Sequence, residues 1–263
     1  MPDIQQYIIQ TIDRFSKPIE GHSIQFFSNS NPRDPNHLPK PIGSGVLIKH
    51  GENHYITTAA HVLAELGQTH IGVYTRVKDF FEVISSSMIE SSDIAVWKVE
   101  PDHAVDIAPE DWWYPIEKSI FNHNEVSEEK YFIYGFPAKK YKIDPQSKAI
   151  IQYPLRYFTR GYSSSPHARN ANYDPKINLL MEFHKNKIRD IKTGIKETAP
   201  TPYGMSGCGL WFFDGLGFRL AGIMTEWKQP KERIPALMGT RIDEVFKLIL
   251  YYEHQSSGIH LAP

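Results

Sequence analysis

The most constraining stretch of this chain is Thr201-Pro202-Tyr203-Gly204-Met205-Ser206-Gly207-Cys208-Gly209-Leu210-Trp211. A serine framed by glycines is entered through a proline-containing turn and followed at once by an apolar run. Flanking glycines open backbone conformations closed to other residues and leave the serine side chain uncrowded. They also free backbone N–H groups to point at something other than a neighbouring strand. A nucleophilic serine beside an oxyanion site needs both properties. The same residues also fit a glycine-rich turn entering a buried strand, with Ser206 a solvated turn residue.

Two upstream segments weigh against the plain turn. Thr57-Thr58-Ala59-Ala60-His61-Val62 places a histidine just past a strand, behind small residues. Ser91-Ser92-Asp93-Ile94-Ala95-Val96-Trp97 sets an aspartate directly before a short apolar run. A base, an anionic orienter and a nucleophile thus occur in the order His61, Asp93, Ser206, which is a triad set. Ser206 requires a base because an unassisted hydroxyl is a poor nucleophile at neutral pH. An imidazole titrates near that pH and can return the proton to a leaving amine. Asp93 would fix the ring tautomer, although it also reads as an ordinary strand-leading residue.

Taken together, the three segments resemble the chymotrypsin/trypsin-like serine peptidases of the PA clan, in particular their non-secreted bacterial branch. In that branch T-A-A-H-V, D-I-A-V and G-x-S-G-x-G recur in this order. The likeness spans roughly residues 42–227 and is only a strand pattern between the motifs. It implies an all-β fold of two six-stranded antiparallel β-barrels packed with the active site between them, plus short N-terminal and C-terminal helices. The implied organisation is an N-terminal helical extension (1–20), a first barrel carrying His61 and Asp93 (21–110), an inter-barrel connection (111–129), a second barrel carrying Ser206 (130–239) and a C-terminal helix (240–263). The implied activity is that of a serine endopeptidase working on polypeptides through an acyl-enzyme. By analogy with other cytoplasmic members, such a peptidase would be regulated, in a bacterial stress or phage-defence pathway.

The resemblance also implies that the backbone N–H groups of Gly204 and Ser206 form the oxyanion hole. Thr225, Glu226 and Trp227 would line the edge that pairs with substrate backbone. Four positions depart from the familiar pattern. Met205 stands where secreted members carry an aspartate that pairs with a newly cut N-terminus, so activation by N-terminal insertion is not expected. Cys208 and Trp227 each stand where many members have glycine, and Trp227 would narrow the primary pocket. Pro200 stands where trypsin-like members carry a charge-selecting aspartate, so a preference for basic residues is not indicated.

Bulk properties bound the rest. The chain has 263 residues with 41% hydrophobic content, enough for one large domain or two small ones sharing a core. Twenty-nine basic and 30 acidic residues give a net charge of −1, which calls for neither nucleic acid nor a membrane surface. Its one cysteine, Cys208, excludes an internal disulfide, and together with the absence of a signal-peptide pattern points to the cytoplasm. No motif calls for a cofactor. His50 and His54 flank a hairpin turn with no Cys or third His beside them, and read as solvated turn residues rather than metal ligands.

Period-two patterning predicts strands at 44–49, 54–58, 71–77, 80–84 and 94–99, then at 130–137, 149–153, 155–160, 177–184, 210–213 and 218–224. The basic residues Lys185, Lys187, Arg189, Lys192 and Lys196 lack an aromatic platform and read as a charged hairpin face. Ile4, Tyr7, Ile8, Ile12 and Phe15 predict an amphipathic helix that packs on the body or docks a protein partner. Thr240-Arg241-Ile242-Asp243 has a capping-box pattern ahead of a helix containing Val245, Phe246, Ile249 and Leu250.

An α/β-hydrolase is excluded because Cys208 occupies the fifth position of its serine elbow and the histidine would have to follow Ser206. The remaining alternative is a peptidase fold kept as a catalytically silent binding or scaffold module.

Overall fold

The structure of the chain is a computed structural model. It describes residues 14, 16–31, 38–64, 66, 68–74, 80–84, 88–128, 130–144, 146, 150–162, 173–184, 188–189, 196–198, 200–228 and 235–256. The predicted helix over 3–15 lies, Arg14 apart, outside these residues, while residues 16–21 are helical and bury Ile19.

Strands β1 (Ser23–Asn29), β2 (Lys40–His50), β3 (Asn53–Ala59), β4 (His70–Tyr74), β5 (Phe80–Glu82), β6 (Met88–Ser91) and β7 (Ile94–Val99) form the first sheet in the order β5-β4-β1-β2-β3-β7-β6. All these pairings are antiparallel; β8 (Tyr114–Pro115) adds a parallel pairing beside β2. In the second half come β9 (Tyr131–Gly135), β10 (Tyr141–Ile143), β11 (Ile150–Gln152), β12 (Leu155–Thr159), β13 (Asn178–Glu182), β14 (Ile188–Arg189), β15 (Lys196–Glu197), β16 (Gly209–Phe213), β17 (Phe218–Lys228) and β18 (Ala236–Arg241). Six of them make the second sheet in the order β12-β9-β16-β17-β18-β13. Residues 160–162, just past β12, close that sheet on β13: Glu182 N–H bonds Arg160 O at 3.0 Å and Tyr162 N–H bonds Leu180 O at 2.7 Å. Two curled antiparallel sheets with few helices are the double-barrel architecture expected from the sequence.

Side-chain alternation explains why so many strands are apolar without a break. On β2, Leu47 enters the interior of the first barrel while Val46 and Ile48 enter a layer between the sheets. On β9, Tyr131 and Ile133 fill the second barrel while Phe132 and Tyr134 face the same intervening layer. Both faces of these strands are therefore buried, as in Ile94-Ala95-Val96-Trp97, and the alternation with polar residues disappears. Trp211, fully buried, is the largest side chain of the intervening layer and meets Tyr114 edge-on at 5.0 Å.

Several details differ from expectation, among them strands β1, β6 and β18, which the period-two pattern does not pick out. Residues 101–107 fold as helix α1 (Pro101–Ile107), with Pro at its start and Asp102 in its first turn, and bury Ala104 and Ile107 in the first barrel. A small hairpin strand, β10, precedes β11 where none was expected. The Thr240 capping box does not form. Thr240 is a buried β18 residue whose hydroxyl donates to Ser92 O at 3.0 Å, and the strand runs directly into helix α2 (Ile242–Ser256). His50 and His54 are not solvated: His50 bonds Glu253, and His54 bonds Glu110 and packs edge-on against Trp113. The predicted basic hairpin is present as the β14–β15 pair, Lys185, Lys187 and Lys192 lying outside the described residues. No helix among the described residues is long and apolar enough to cross a membrane.

Helix α2 buries Ile242, Val245 and Ile249, and near its far end one carboxylate ties it to the first sheet. Glu253 accepts from Tyr55 OH at 2.9 Å, Asn53 Nδ2 at 2.9 Å and His50 Nδ1 at 3.0 Å, all on the β2–β3 hairpin. Burial alone would raise the Glu253 pKa, but these hydrogen bonds outweigh it and hold the carboxyl below its ordinary 4.5. A depressed acid stabilises the fold above its unfolded pKa, and that contribution fades as pH falls through the depressed value. Glu253→Gln should therefore cost about 1.5–3 kcal/mol in urea unfolding at pH 7, with a much smaller difference at pH 3. An equal loss at both pH values would show that charge is not the reason.

Candidate active site

His61 and Asp93 are brought together by two short backbone devices of the first sheet. β3 ends at Ala59 and passes into a 3₁₀ turn (Ala60–Leu63) that is anchored by the buried Val62 and Leu63. Asp93 sits in the two-residue turn between β6 and β7, where Ser91 pairs with Ile94. Ser92 and Asp93 both have left-handed backbones, with φ of 53° and 57°. This is the hairpin geometry that follows strand twist, and aspartate tolerates it better than most residues. Ala60 N–H bonds Asp93 O at 3.0 Å, His61 N–H bonds Asp93 Oδ1 at 3.1 Å, and His61 Nδ1 lies 3.1 and 3.0 Å from the two carboxylate oxygens.

With Nδ1 committed to the carboxylate, the neutral ring keeps its proton there and leaves Nε2 as the acceptor. The Asp93 hydrogen bond raises the His61 pKa above the ordinary 6.5; partial burial opposes this, and the charges of Asp93 and Glu226 add to the rise.

Ser206 lies on the loop ahead of β16, and the peptide planes of that loop alternate in a way that its hydrogen bonds fix. Tyr203 O accepts Ala138 N–H at 2.8 Å and Met205 O accepts Cys208 N–H at 2.9 Å. Gly204 O accepts the Ser44 hydroxyl at 2.9 Å and Ser206 O accepts Ser44 N–H at 2.8 Å. Among the N–H groups, Met205 donates to Pro202 O at 2.9 Å and Gly207 to Met224 O at 2.7 Å. Those of Gly204 and Ser206 have no acceptor among the described residues. The N–H groups of Gly204 and Ser206, which the resemblance names, are therefore free to meet an acceptor, as is that of Tyr203.

Glycine is required at two of these positions. Gly204 has φ +88°, and a Cβ there would press on Ala138 N. Gly207 has φ +92°, and its Cβ would overlap Ser44 O and Thr58 Oγ1. That close approach places the Ser206–Gly207 backbone against Thr58, three residues before His61. Ser206 is half-buried, and its Oγ makes no hydrogen bond among the described residues. The structure therefore joins His61 to Asp93 and sets the serine loop against the same sheet, without a bond between Ser206 and His61. Such bonds are often long in unliganded enzymes.

Of the remaining predicted residues, Thr225 is buried and its hydroxyl reaches Met238 O at 3.4 Å, at a register shift between β17 and β18. Glu226 is exposed and pairs with Lys228 at 3.0 Å. Trp227 is partly buried and packs edge-on against Phe183, ring centroids 6.4 Å apart. β16 pairs with β17 only as far as Ile223, so beyond Met224 that edge of β17 carries no strand among the described residues. Met205 is fully buried in the second barrel. Cys208 is also fully buried, and burial pushes its thiol pKa far up, which removes it as a nucleophile.

Ser44, at the start of a predicted strand, bonds the serine loop through both its hydroxyl and its backbone N–H. The signal was available in Gly43-Ser44-Gly45, a second glycine-framed serine.

No protein-family model and no curated protein matches the chain. Among solved structures, neuropsin, described as a serine protease expressed in the limbic system of mouse brain, matches with a TM-score of 0.54 and 17% identity, over 89% of this chain and 95% of that one. This likeness shows the fold, a trypsin-like double barrel.

The left-handed backbone at Asp93 admits asparagine as readily. Asp93→Asn should therefore keep the melting temperature within a few degrees while lowering the His61 pKa, read by NMR titration, from above 6.5 in the parent. An unmoved His61 titration would show that the carboxylate does not set the ring.

Proposed function

We propose that the chain is a serine endopeptidase using Ser206 as nucleophile, His61 as general base and acid, and Asp93 as the group that orients and charges the imidazole. The observation that carries this reading is the Asp93–His61 Nδ1 pair, 3.0 Å apart, on the sheet against which the glycine-framed serine is packed. Ser206 Oγ would attack a peptide carbonyl as its proton passes to His61 Nε2. The negative charge that develops on the carbonyl oxygen would be met by the Gly204 and Ser206 N–H groups. Each such donor contributes about 3–4 kcal/mol in the transition state, because it need not reorient as charge appears. His61 then gives its proton to the departing amine, and a water repeats the cycle on the acyl-enzyme.

An extended substrate fits the bare edge of β17 beyond Met224, where it would add as a further strand alongside Thr225, Glu226 and Trp227. A single buried cysteine suits a reducing compartment, in keeping with a cytoplasmic peptidase of the bacterial branch and a regulated role in stress or phage defence. The scaffold reading has one observation in its favour, the missing Ser206–His61 hydrogen bond.

A fluorophosphonate probe separates the two readings. The wild-type chain should be labelled on Ser206, identified by peptide mass spectrometry, and should cleave a mixed peptide library. Ser206→Ala should take no label and lose about 10⁶-fold in kcat. Activity should rise with pH through a value above 6.5, since the neutral imidazole is the working form and Asp93 raises its pKa. A chain that neither labels nor cleaves between pH 6 and 9 favours the scaffold or a locked, zymogen-like state and overturns a working site in this form.

A further inference from the structure

We infer that Ser44 is a positioning residue that holds the Gly204 and Ser206 N–H groups in their donating orientation, with no contribution from a newly cut N-terminus. The inference rests on the peptidase reading above. Met205 fills the second barrel, so the loop offers no carboxylate at that position for an ammonium group to hold. Another contact must fix the loop, and the structure contains one.

In a trans peptide the C=O and N–H point in opposite directions, so pinning a carbonyl aims the N–H behind it. The Tyr203 and Met205 carbonyls are pinned by Ala138 and Cys208 N–H, which turns the Gly204 and Ser206 N–H groups the other way. Gly204 is the free joint of this loop, a glycine at φ +88° that could swivel. It is fixed by holding the planes on both of its sides: Ala138 holds the one before it, and the Ser44 hydroxyl holds the one after it.

The Ser44 hydroxyl is itself fully specified. It accepts Phe136 N–H at 2.9 Å, so its single proton is directed to Gly204 O at 2.9 Å. Its backbone N–H holds Ser206 O at 2.8 Å, and its carbonyl accepts the Thr58 hydroxyl at 2.7 Å. The residue is fully buried. One side chain of the first sheet thus registers the serine loop against the strand that leads to His61.

The test compares the full-length wild type with Ser44→Ala on a peptide found by library cleavage, and on the trifluoromethyl ketone of the same sequence. Ser44→Ala should lower kcat about 10²-fold with KM within twofold. The ketone, whose adduct places an oxyanion on the two N–H groups, should lose affinity by the same factor, and the acid limb of the pH profile should stay in place. An unchanged kcat, or a reduced kcat with undiminished ketone affinity, overturns the inference. Should Ser44→Ala not fold, Ser44→Cys keeps a weaker donor and should lose about tenfold; full activity there also overturns it. Wild type carrying a retained N-terminal tag should react with fluorophosphonate as fast as untagged wild type, and a tenfold slower reaction contradicts the preassembled site. If wild type itself neither labels nor cleaves, the peptidase reading has failed. Active wild type beside equally active Ser44→Ala removes only the role of Ser44.

Discussion

The structure depends on a polar contact set into an apolar interface. Between the two sheets lies a layer of Val46, Ile48, Ile94, Phe132, Trp211 and Ile223, which packs well but does not choose a register. Register comes from hydrogen bonds, which are directional, and at Ser44 the first sheet bonds the carbonyls of Gly204 and Ser206. A buried hydroxyl costs free energy unless all its bonds are made. Ser44 makes them, and so the contact admits one arrangement of the serine loop. A slide of the sheets would leave Phe136 N–H, Ser44 Oγ and two loop carbonyls without partners in a region closed to water.

A second constraint is local and strained. Ser92 and Asp93 occupy left-handed backbone in succession, which costs of order 1 kcal/mol or more for each such residue outside glycine. The hairpin accepts that cost, and in return the Asp93 carboxylate lies over the end of β3. There it accepts both the His61 N–H and the ring Nδ1 while its own carbonyl accepts Ala60 N–H. Three bonds to one residue fix the imidazole in position as well as in tautomer. Thr240, from the second sheet, bonds Ser92 O, so this turn too is tied across the interface.

The parts of this arrangement that could be read from the sequence are those in which one residue's neighbours reveal its task. His61 behind two alanines, Asp93 ahead of an apolar run and Ser206 among glycines each announce a special backbone setting, and the structure gives each one. Long-range partners are another matter. The glycines beside Ser44 mark it as a special position, but they do not say that residues 204 and 206 will face it. Thr240 matched a capping box because the pattern is local, whereas its hydroxyl was taken by Ser92 from another sheet. His50 and His54 looked solvated because turns usually are, yet Glu253 and Glu110 arrive from far along the chain to bond them. Helix α1 was missed despite Pro101 and Asp102, since seven residues are too few for a clear helical period.

The bulges complete the geometry and explain why the serine loop opens where it does. At Ala221 the pairing of β16 with β17 slips by one residue, and Ala221 and Met224 then both face the barrel interior while Leu220 and Ile223 face the layer between the sheets. At Thr225 the pairing of β17 with β18 slips as well, so that strand bends away just past the end of β16. The first slip brings Met224 O to Gly207 N–H, which fixes the base of the serine loop. Because β16 begins opposite Ile223, the far end of β17 has, among the described residues, no strand neighbour on the side of Ser206. A single strand therefore anchors the loop of the proposed nucleophile with one residue and, with the next three, offers an edge that has no strand partner among the described residues. On the proposed reading, a polypeptide that pairs with that edge is delivered to the serine by the same backbone that holds the serine in place.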